Sequence, residues 1–405
     1  MSSEGRVKTG GIADLVPRLK DQGYESERVT RRRAWVEERT GAHLRHVGSH
    51  SVDSEQMRGN IENPVGAAQI PLGIAGPLDV RGRHANGTFY VPLATTEGAL
   101  VRSYERGMVA LTRSGGVEAA LVGDENQISP SFFFEGIAAA AAFSPWLESH
   151  FEDIRLQAES TTRHGRLKNL RCHQIGRQVI VNFGFETGDA QGMNMIVKAT
   201  DQVCRWIVER LPGVSYFQFS GMCSEKRPSG YLLSRGKGKS VVAGALLPDA
   251  ILKAYLHCSS RQLFDVWQST VIGHLAANAI GYNAQYANGL TAMFIATGQD
   301  VANVVNSSCG VTNFELADGG LYVSLTLPAL SVATVGGGTN LGTQRECLEM
   351  LDCYGSGKSK KLAEIMAAAL LGGEISMGAA IASGEFAAAH EHYGRNRPGT
   401  TSGSE

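Results

Sequence analysis

Four residues of this 405-residue chain combine a reactive side chain with an unusual local setting: Glu97, Lys226, Asp300 and His390. Glu97 stands in Ala94-Thr95-Thr96-Glu97-Gly98-Ala99-Leu100-Val101, a carboxylate at the mouth of a segment that then repeats apolar residues at helical spacing. The other three supply a cation, a second carboxylate and an imidazole. Together they can serve the reduction of a thioester, in which an oxyanion must be stabilised and protons delivered.

The elements that must position them can be read from hydrophobic period and turn residues. Up to about residue 55 the chain is rich in Arg and Glu, and Arg31-Arg32-Arg33-Ala34-Trp35-Val36-Glu37-Glu38-Arg39 reads as a charged, solvated surface helix, with phosphate binding as the alternative. From Ile61, prolines and glycines among aliphatics (Pro64, Pro71, Gly73, Gly76, Pro77) indicate loops between short strands. A strand over 88–92 precedes a helix over 96–111, with Ala99, Leu100, Tyr104, Met108 and Leu111 on one face. Residues 129–218 change texture: an Ala-rich helix over 137–143, a strand over 179–183, a glycine turn, and a helix from Met193 to about 211, read as an α+β insertion. Beyond it, 254–280 is expected to be helical and 321–327 a strand. Residues 361–390 are expected to hold two Ala-rich helices interrupted at Gly372-Gly373, before a disordered Gly/Pro/Ser/Thr tail.

A chain of this length with 43% hydrophobic residues buries a large core and has room for more than one structural unit. A formal net charge of −1 gives no global field for nucleic acid or an anionic membrane, so anions must be bound locally. The seven cysteines are odd in number and nowhere spaced as C-x-x-C, which fits a reducing cytoplasm rather than a disulfide framework or zinc ribbon. No uninterrupted apolar run reaches the roughly 18 residues of a membrane span, and the polar start shows no signal-peptide core. We expect neither export nor an anchor.

Two stretches imitate a P-loop, Gly238-Lys239-Ser240 and Gly357-Lys358-Ser359, but the required upstream glycine is Leu233 in one and Asp352 in the other. No Rossmann glycine fingerprint follows a strand, so any cofactor is held in another way. Gly188-Asp189-Ala190-Gln191-Gly192-Met193-Asn194 ends a strand and opens a helix, which offers free N–H groups and a positive dipole to an anion; a purely structural turn is the alternative. The loop Val335-Gly336-Gly337-Gly338-Thr339 admits a ligand backbone closely, or is simply a tight turn. His173, His257 and His274 lack partners at metal spacing and read as structural, and no metal is expected. His390 and His392, two apart, point to different sides of a helix, so one of them reads as a proton donor.

Several of these motifs, in order, resemble one family. Glu62-Asn63-Pro64-Val65-Gly66, Pro71-Leu72-Gly73-Ile74-Ala75-Gly76-Pro77-Leu78, the Glu97 segment, the turn at 188–194, Gly281-Tyr282-Asn283-Ala284, Gly298-Gln299-Asp300 and Gly336-Gly337-Gly338-Thr339-Asn340-Leu341 are similar to class I 3-hydroxy-3-methylglutaryl-CoA reductase, over about 55–396. The resemblance implies an α+β fold in which a small, ferredoxin-like (non-Rossmann) NADP-binding domain is inserted into a large CoA- and substrate-binding domain. Here that gives a helical segment at 1–58, a large domain at 59–128 and 219–396, the small domain at 129–218, and a tail at 397–405. It implies a cytoplasmic enzyme with an acyl-CoA substrate and active sites at a dimer interface, the chain forming a dimer or a dimer of dimers and binding neither nucleic acid nor membrane.

By the same resemblance the catalytic set is Glu97, Lys226, Asp300 and His390. Lys226 stabilises the oxyanion, His390 protonates the departing thiolate, and Glu97 protonates the aldehyde stage, which requires Asp300 close enough to raise its pKa. Two hydrides imply two NADPH per turnover. The cofactor set is Thr162 and Arg163, whose guanidinium suits a 2′-phosphate, with Asp189, Gly192, Met193, Asn194, Gly336, Gly337, Gly338 and Thr339. The substrate set is Arg106, Ser220, Glu225, Arg227 and Asn288, with two departures: Ile128 stands where the family carries a pocket Arg, and Gln268 where it carries a Lys that pairs with the free carboxylate. Glu225 and Arg227 replace an Asp and a second Lys, and Gln285 replaces a His. The leading expectation is reduction of 3-hydroxy-3-methylglutaryl-CoA to mevalonate. Reduction of a different acyl-CoA or carrier-bound thioester, and a silent binding homologue, are the alternatives.

Overall fold

The computed structural model describes residues 16–17 and 23–386. His390, His392 and the tail at 397–405 lie outside the described residues. The strands are β1 (Leu72–Gly82), β2 (Asn86–Ala94), β3 (Val117–Ile128), β4 (Ser131–Phe133), β5 (Arg166–Ile175), β6 (Gln178–Glu186), β7 (Ser215–Phe217), β8 (Gly238–Pro248), β9 (Val311–Ala317) and β10 (Gly320–Leu330). Helices of nine residues or more are α1 (Ser26–Thr40), α2 (Leu100–Arg113), α3 (Ile137–Ser149), α4 (Phe151–Glu159), α5 (Met193–Arg210), α6 (Ser260–Ala276), α7 (Tyr286–Thr297), α8 (Gly342–Met350) and α9 (Ser359–Ala382).

One strand serves two cores. The first part of β3 pairs with β1 and, from Glu118 to Glu125, with β8, while its last three residues, Asn126 to Ile128, pair with β6. The first core, under β1, β2, β3, β8, β9 and β10, is filled by α9 and the apolar faces of α2 and α7. The second, from Ile128 through Ile207, gathers Phe132, Phe143, Phe183, Phe185 and Trp206 around β4 to β7. Its strands run in the order β7-β4-β6-β5, all antiparallel, with α3 and α4 between the first two in sequence and α5 between the last two. That is the split βαβ arrangement of a ferredoxin-like unit, as expected, within an α+β fold.

Four elements differ from their sequence expectations. Residues 359–382 form a single helix through Gly372-Gly373, not two. The glycines are there because the backbone of α2 comes too close for side chains: a Cβ on Gly107 would stand 1.8 Å from the Gly372 carbonyl oxygen, and one on Gly373 would meet the Tyr104 ring at 2.4 Å. This helix is long and apolar enough on average to cross a membrane, although Glu364 and Glu374 interrupt its apolar run, and 78% of its apolar window is buried inside the fold. It is a core helix.

The helix expected at 254–280 is broken at His257, which adopts a left-handed φ of 55°, and restarts as α6 under a reciprocal capping box of Ser259 and Gln262. α2 begins at Leu100 rather than Thr96, so Glu97 lies in the turn before it. α1 is more than a solvated helix: Arg32 is fully buried and donates to the carbonyls of Pro64 at 3.1 Å and Gly23 at 2.8 Å.

Candidate active site

The lysine turn is the most constrained part of the site. Lys226 has a left-handed φ of 63°, a conformation that costs a residue with a Cβ about 1–2 kcal/mol and persists only where neighbours hold it. Its backbone N–H is taken by Oδ1 of the fully buried Asn306 at 3.1 Å, and Asn306 is itself fixed by Ala329 and Ser331. The side chain then reaches out to Asp300, Nζ to Oδ2 2.9 Å. That carboxylate holds the Lys226 ammonium above the usual lysine value, so it stays charged near neutrality. Asp300 is oriented in turn by accepting Ala302 N–H at 3.1 Å.

Beside Lys226 lies a cavity of about 220 Å³ lined by Ile128, Met193, Ser220, Glu225 and Lys237 among others. Met193 is the first residue of α5, so the cavity joins the lysine turn to the N-terminus of the small unit's third helix. Glu225 is largely buried, which pushes its carboxyl up, and accepts from Gln191 at 3.2 Å. Ser220 is fixed by its N–H to the Ser129 carbonyl, 2.8 Å. Ile128 is 2% exposed and contributes only aliphatic wall.

A second group forms at the other end of α7. Glu97 is exposed in the turn between β2 and α2, its N–H bound to Thr95 Oγ1 at 3.0 Å, and Ala99 behind it has a strained φ of 70°. Asn288, in the first turn of α7, donates to Glu97 Oε1 at 3.4 Å. The loop ahead of α7 is held by the buried Glu374 of α9, which accepts Ala284 N–H at 2.9 Å and Gln285 N–H at 2.7 Å; the Gln285 amide donates to the Gly373 carbonyl.

Of the three quartet members among the described residues, Lys226 and Asp300 meet, and Glu97 lies at the other end of α7. Asp300 faces Lys226 past the C-terminal end of α7, Glu97 faces Asn288 at its start, and about 14 Å of helix separate Asn288 from Thr297. Asp300 is spent on the cation rather than placed beside Glu97.

Of the predicted cofactor residues, Thr162, Arg163, Asp189 and Gly192 to Asn194 lie in the small unit, and the loop Gly336 to Thr339 lies in the large one. Gly192, at φ 81°, is the N-cap of α5, and no side chain caps the helix, so its first N–H groups are available to a ligand. Thr162 binds Met195 Sδ at 2.8 Å and receives the N–H groups of His164 and Gly165, which sets the exposed Arg163 next to the same helix end. An arginine beside free helix N–H groups suits a phosphorylated dinucleotide. Gly338 lies against the backbone of Gly298, where a Cβ on Gly298 would meet the Gly338 carbonyl oxygen at 2.4 Å, so the glycine loop rests on the segment that carries Asp300.

Asp189 does something else. It accepts Gly357 N–H at 2.7 Å, Ser359 N–H at 3.0 Å and Ser359 Oγ–H at 2.8 Å, capping α9 from 170 residues away, and its carbonyl accepts Thr334 N–H. Burial pushes this carboxyl up, but the hydrogen bonds from Gly357 and Ser359 leave it below the ordinary 3.8. Two substrate candidates are also engaged or displaced. Arg106 donates to Ser376 Oγ at 3.1 Å and pairs with Glu385 at 3.1 Å, and Gln268 is exposed on α6, not among the residues lining the cavity. Arg227 and Asn194 are exposed.

Sequence reasoning missed Lys237, Asn306 and Glu374, all buried. For Lys237 a signal existed: strand alternation places it with Lys239, Val241, Ala243 and Leu247 on the buried face.

Comparison with known proteins identifies the family. The family described as hydroxymethylglutaryl-coenzyme A reductase matches residues 28–395. The 3-hydroxy-3-methylglutaryl-coenzyme A reductase of Methanocaldococcus jannaschii is 43% identical over 391 residues, covering 94% of this chain and 96% of that one. Reductase 1 of Oryza sativa subsp. indica is 36% identical, covering 94% of this chain and 72% of that one. The solved structure of the class II reductase from Streptococcus pneumoniae bound to NADPH has a TM-score of 0.65 at 19% identity, over 80% of this chain and 78% of that one. This chain belongs to the hydroxymethylglutaryl-coenzyme A reductase family.

Proposed function

We propose that the chain reduces 3-hydroxy-3-methylglutaryl-CoA to mevalonate and CoA with NADPH, and that Lys226, Asp300, Glu97 and His390 carry the chemistry. The observation that carries this is the Lys226–Asp300 ion pair at the rim of a cavity that also reaches the N-terminus of α5. NADPH, when bound, supplies hydride, twice per turnover. Thr162, Arg163 and the N–H groups following Gly192 would hold its phosphates, with the glycine loop at 336–338 alongside; Asp189 supports that turn by tying it to α9.

The chain's own part is electrostatic and protonic. Lys226 Nζ, kept charged by Asp300, stabilises the oxyanion that forms at the acyl carbonyl, worth about 3–4 kcal/mol when water is excluded. Glu97, oriented by Asn288, delivers the proton to the alkoxide of the second reduction. His390, outside the described residues, is assigned protonation of the CoA thiolate.

One carbonyl cannot meet both ends of α7 in one chain, so the site is completed by a second copy, with Lys226 and Asp300 from one protomer and Glu97 and Asn288 from its partner. The domain division at 59–128 with 219–396, and 129–218, accords with the two separate cores. The proposed assignment to class I rests on its motifs.

The test is NADPH oxidation with 3-hydroxy-3-methylglutaryl-CoA and a panel of acyl-CoAs, with mevalonate identified by mass and Lys226→Ala as blank. Saturable turnover to mevalonate is expected, and no turnover on any thioester refutes the reading. A second reading, a preference for an acyl chain without a free carboxylate, is motivated by the aliphatic wall at Ile128, and a low KM for the hydroxymethylglutaryl ester eliminates it.

A further inference from the structure

Lys237 is one of the largest fully buried side chains, an ammonium at 2% exposure where an unpaired charge would be costly. Two acceptors and a carboxylate surround it: the Gln127 carbonyl at 2.6 Å and the Cys223 carbonyl at 2.9 Å accept hydrogen bonds, and Glu225 Oε1 stands at 4.0 Å, an ion-pair distance. Each belongs to a different part of the site. Gln127 is at the end of β3, which joins the two cores; Cys223 is inside the lysine turn; and Glu225, adjacent to Lys226, also receives the Gln191 amide from the turn ahead of α5. The backbone of Lys237 is itself fixed, its N–H bound to the Pro328 carbonyl at 3.1 Å in β10.

An ammonium has three donors and no acceptor, which matches two carbonyls and a carboxylate. A neutral side chain here would leave two buried carbonyls and Glu225 without that partner. The strained φ of Lys226 gives this tether work to do, since a turn held only by Asn306 could relax.

We propose that Lys237 is a positioning residue for Lys226: by tying the Cys223 carbonyl to the Gln127 carbonyl at the end of β3, with Glu225 at ion-pair distance, it sets Lys226 Nζ in register with the N-terminus of α5. The inference rests on the proposed function, because the register matters only if Lys226 meets a carbonyl that is reduced by a cofactor held at that helix. Lys237 touches neither reacting group; it acts through the turn.

The experiment compares wild type, Lys237→Met, Lys237→Arg and the charge-balanced Lys237→Met/Glu225→Gln in the full-length protein. NADPH oxidation with 3-hydroxy-3-methylglutaryl-CoA is followed at saturation and at limiting substrate, and thermal melting confirms folding. Misplacing Lys226 by about 1 Å is expected to lower kcat about 100-fold in Lys237→Met and in the double variant, with both KM values little changed in Lys237→Met and partial recovery of kcat in Lys237→Arg. A folded Lys237→Met or double variant with wild-type kcat overturns the proposal. So does a rise in KM for the carboxylated thioester alone with kcat intact, which would make Lys237 a ligand for the substrate carboxylate.

A second measurement needs no turnover. Labelling of Lys226 by acetic anhydride, read by peptide mass spectrometry, is expected to accelerate severalfold when Lys237 is removed and the turn is freed. Unchanged labelling in a folded variant overturns the proposal. An inactive wild type whose Lys226 labelling still responds to Lys237 refutes the proposed function and leaves the tether standing.

Discussion

The two ends of α7 carry complementary chemistry on very different foundations. At the C-terminal end, Lys226 has a strained backbone, a buried asparagine on its N–H, a carboxylate on its ammonium and a buried lysine beneath its turn. At the N-terminal end, Glu97 is exposed in a short turn, with one long hydrogen bond to Asn288. The difference fits the tasks proposed for the two residues. Stabilising a developing oxyanion depends on dipoles and charges that do not reorganise, whereas a proton donor needs only to come within reach of its acceptor. A rigid half and an open half also fit a site that is closed by a second copy of the chain.

The comparison can be broken most sharply at Lys226. Lys226→Ala is expected to reduce kcat about 1,000-fold with little change in KM for NADPH, measured by steady-state NADPH oxidation. A loss below about tenfold would remove the rigid half from the chemistry. Glu97→Gln is expected to cost about 100-fold in kcat. Mixing that variant with Lys226→Ala and allowing subunits to exchange sharpens the point: half of the dimers become mixed, each with one intact site, so activity should return to about a quarter of wild type. Self-contained sites would give no recovery.

The smallest effect is expected from the clamp between the units. Asp189→Ala removes a helix cap and should lower unfolding free energy by about 1–2 kcal/mol in urea titrations. Because the folded pKa of Asp189 is depressed, its contribution is fully present above the ordinary value of 3.8 and is lost as pH falls through the lower folded value. Wild type and variant should therefore converge in stability at strongly acidic pH and diverge above it.

Local pattern was enough for some of this molecule and not for the rest. The apolar face of α2, the strand and turn that precede α5, and the failure of both false P-loops could be read from spacing, because each depends on residues within a few positions. Gly238-Lys239-Ser240 opens β8 and Gly357-Lys358-Ser359 leads into α9. What spacing could not reveal were contacts between distant segments. Gly372-Gly373 looked like a helix break because the backbone of α2 that requires those glycines is more than 250 residues away in sequence. Asp189 looked like a cofactor ligand because its donors on α9 are 170 residues distant. The separation of Glu97 from Asp300 was hidden for the same reason: their places at opposite ends of α7 depend on contacts with Asn288 and Lys226, which are distant in sequence.

The crossing of α2 and α9 has a consequence for how this protein tolerates change. With the Gly372 carbonyl 1.8 Å from where a methyl group on Gly107 would be, and the buried Tyr104 ring 2.4 Å from one on Gly373, neither position can accept even alanine without parting the helices. A saturation-mutagenesis screen scored by growth would rank both glycines beside Lys226, although neither carries a functional group. Their intolerance would record a distance between two backbones, and separating it from intolerance due to catalysis would require measuring protein abundance alongside turnover.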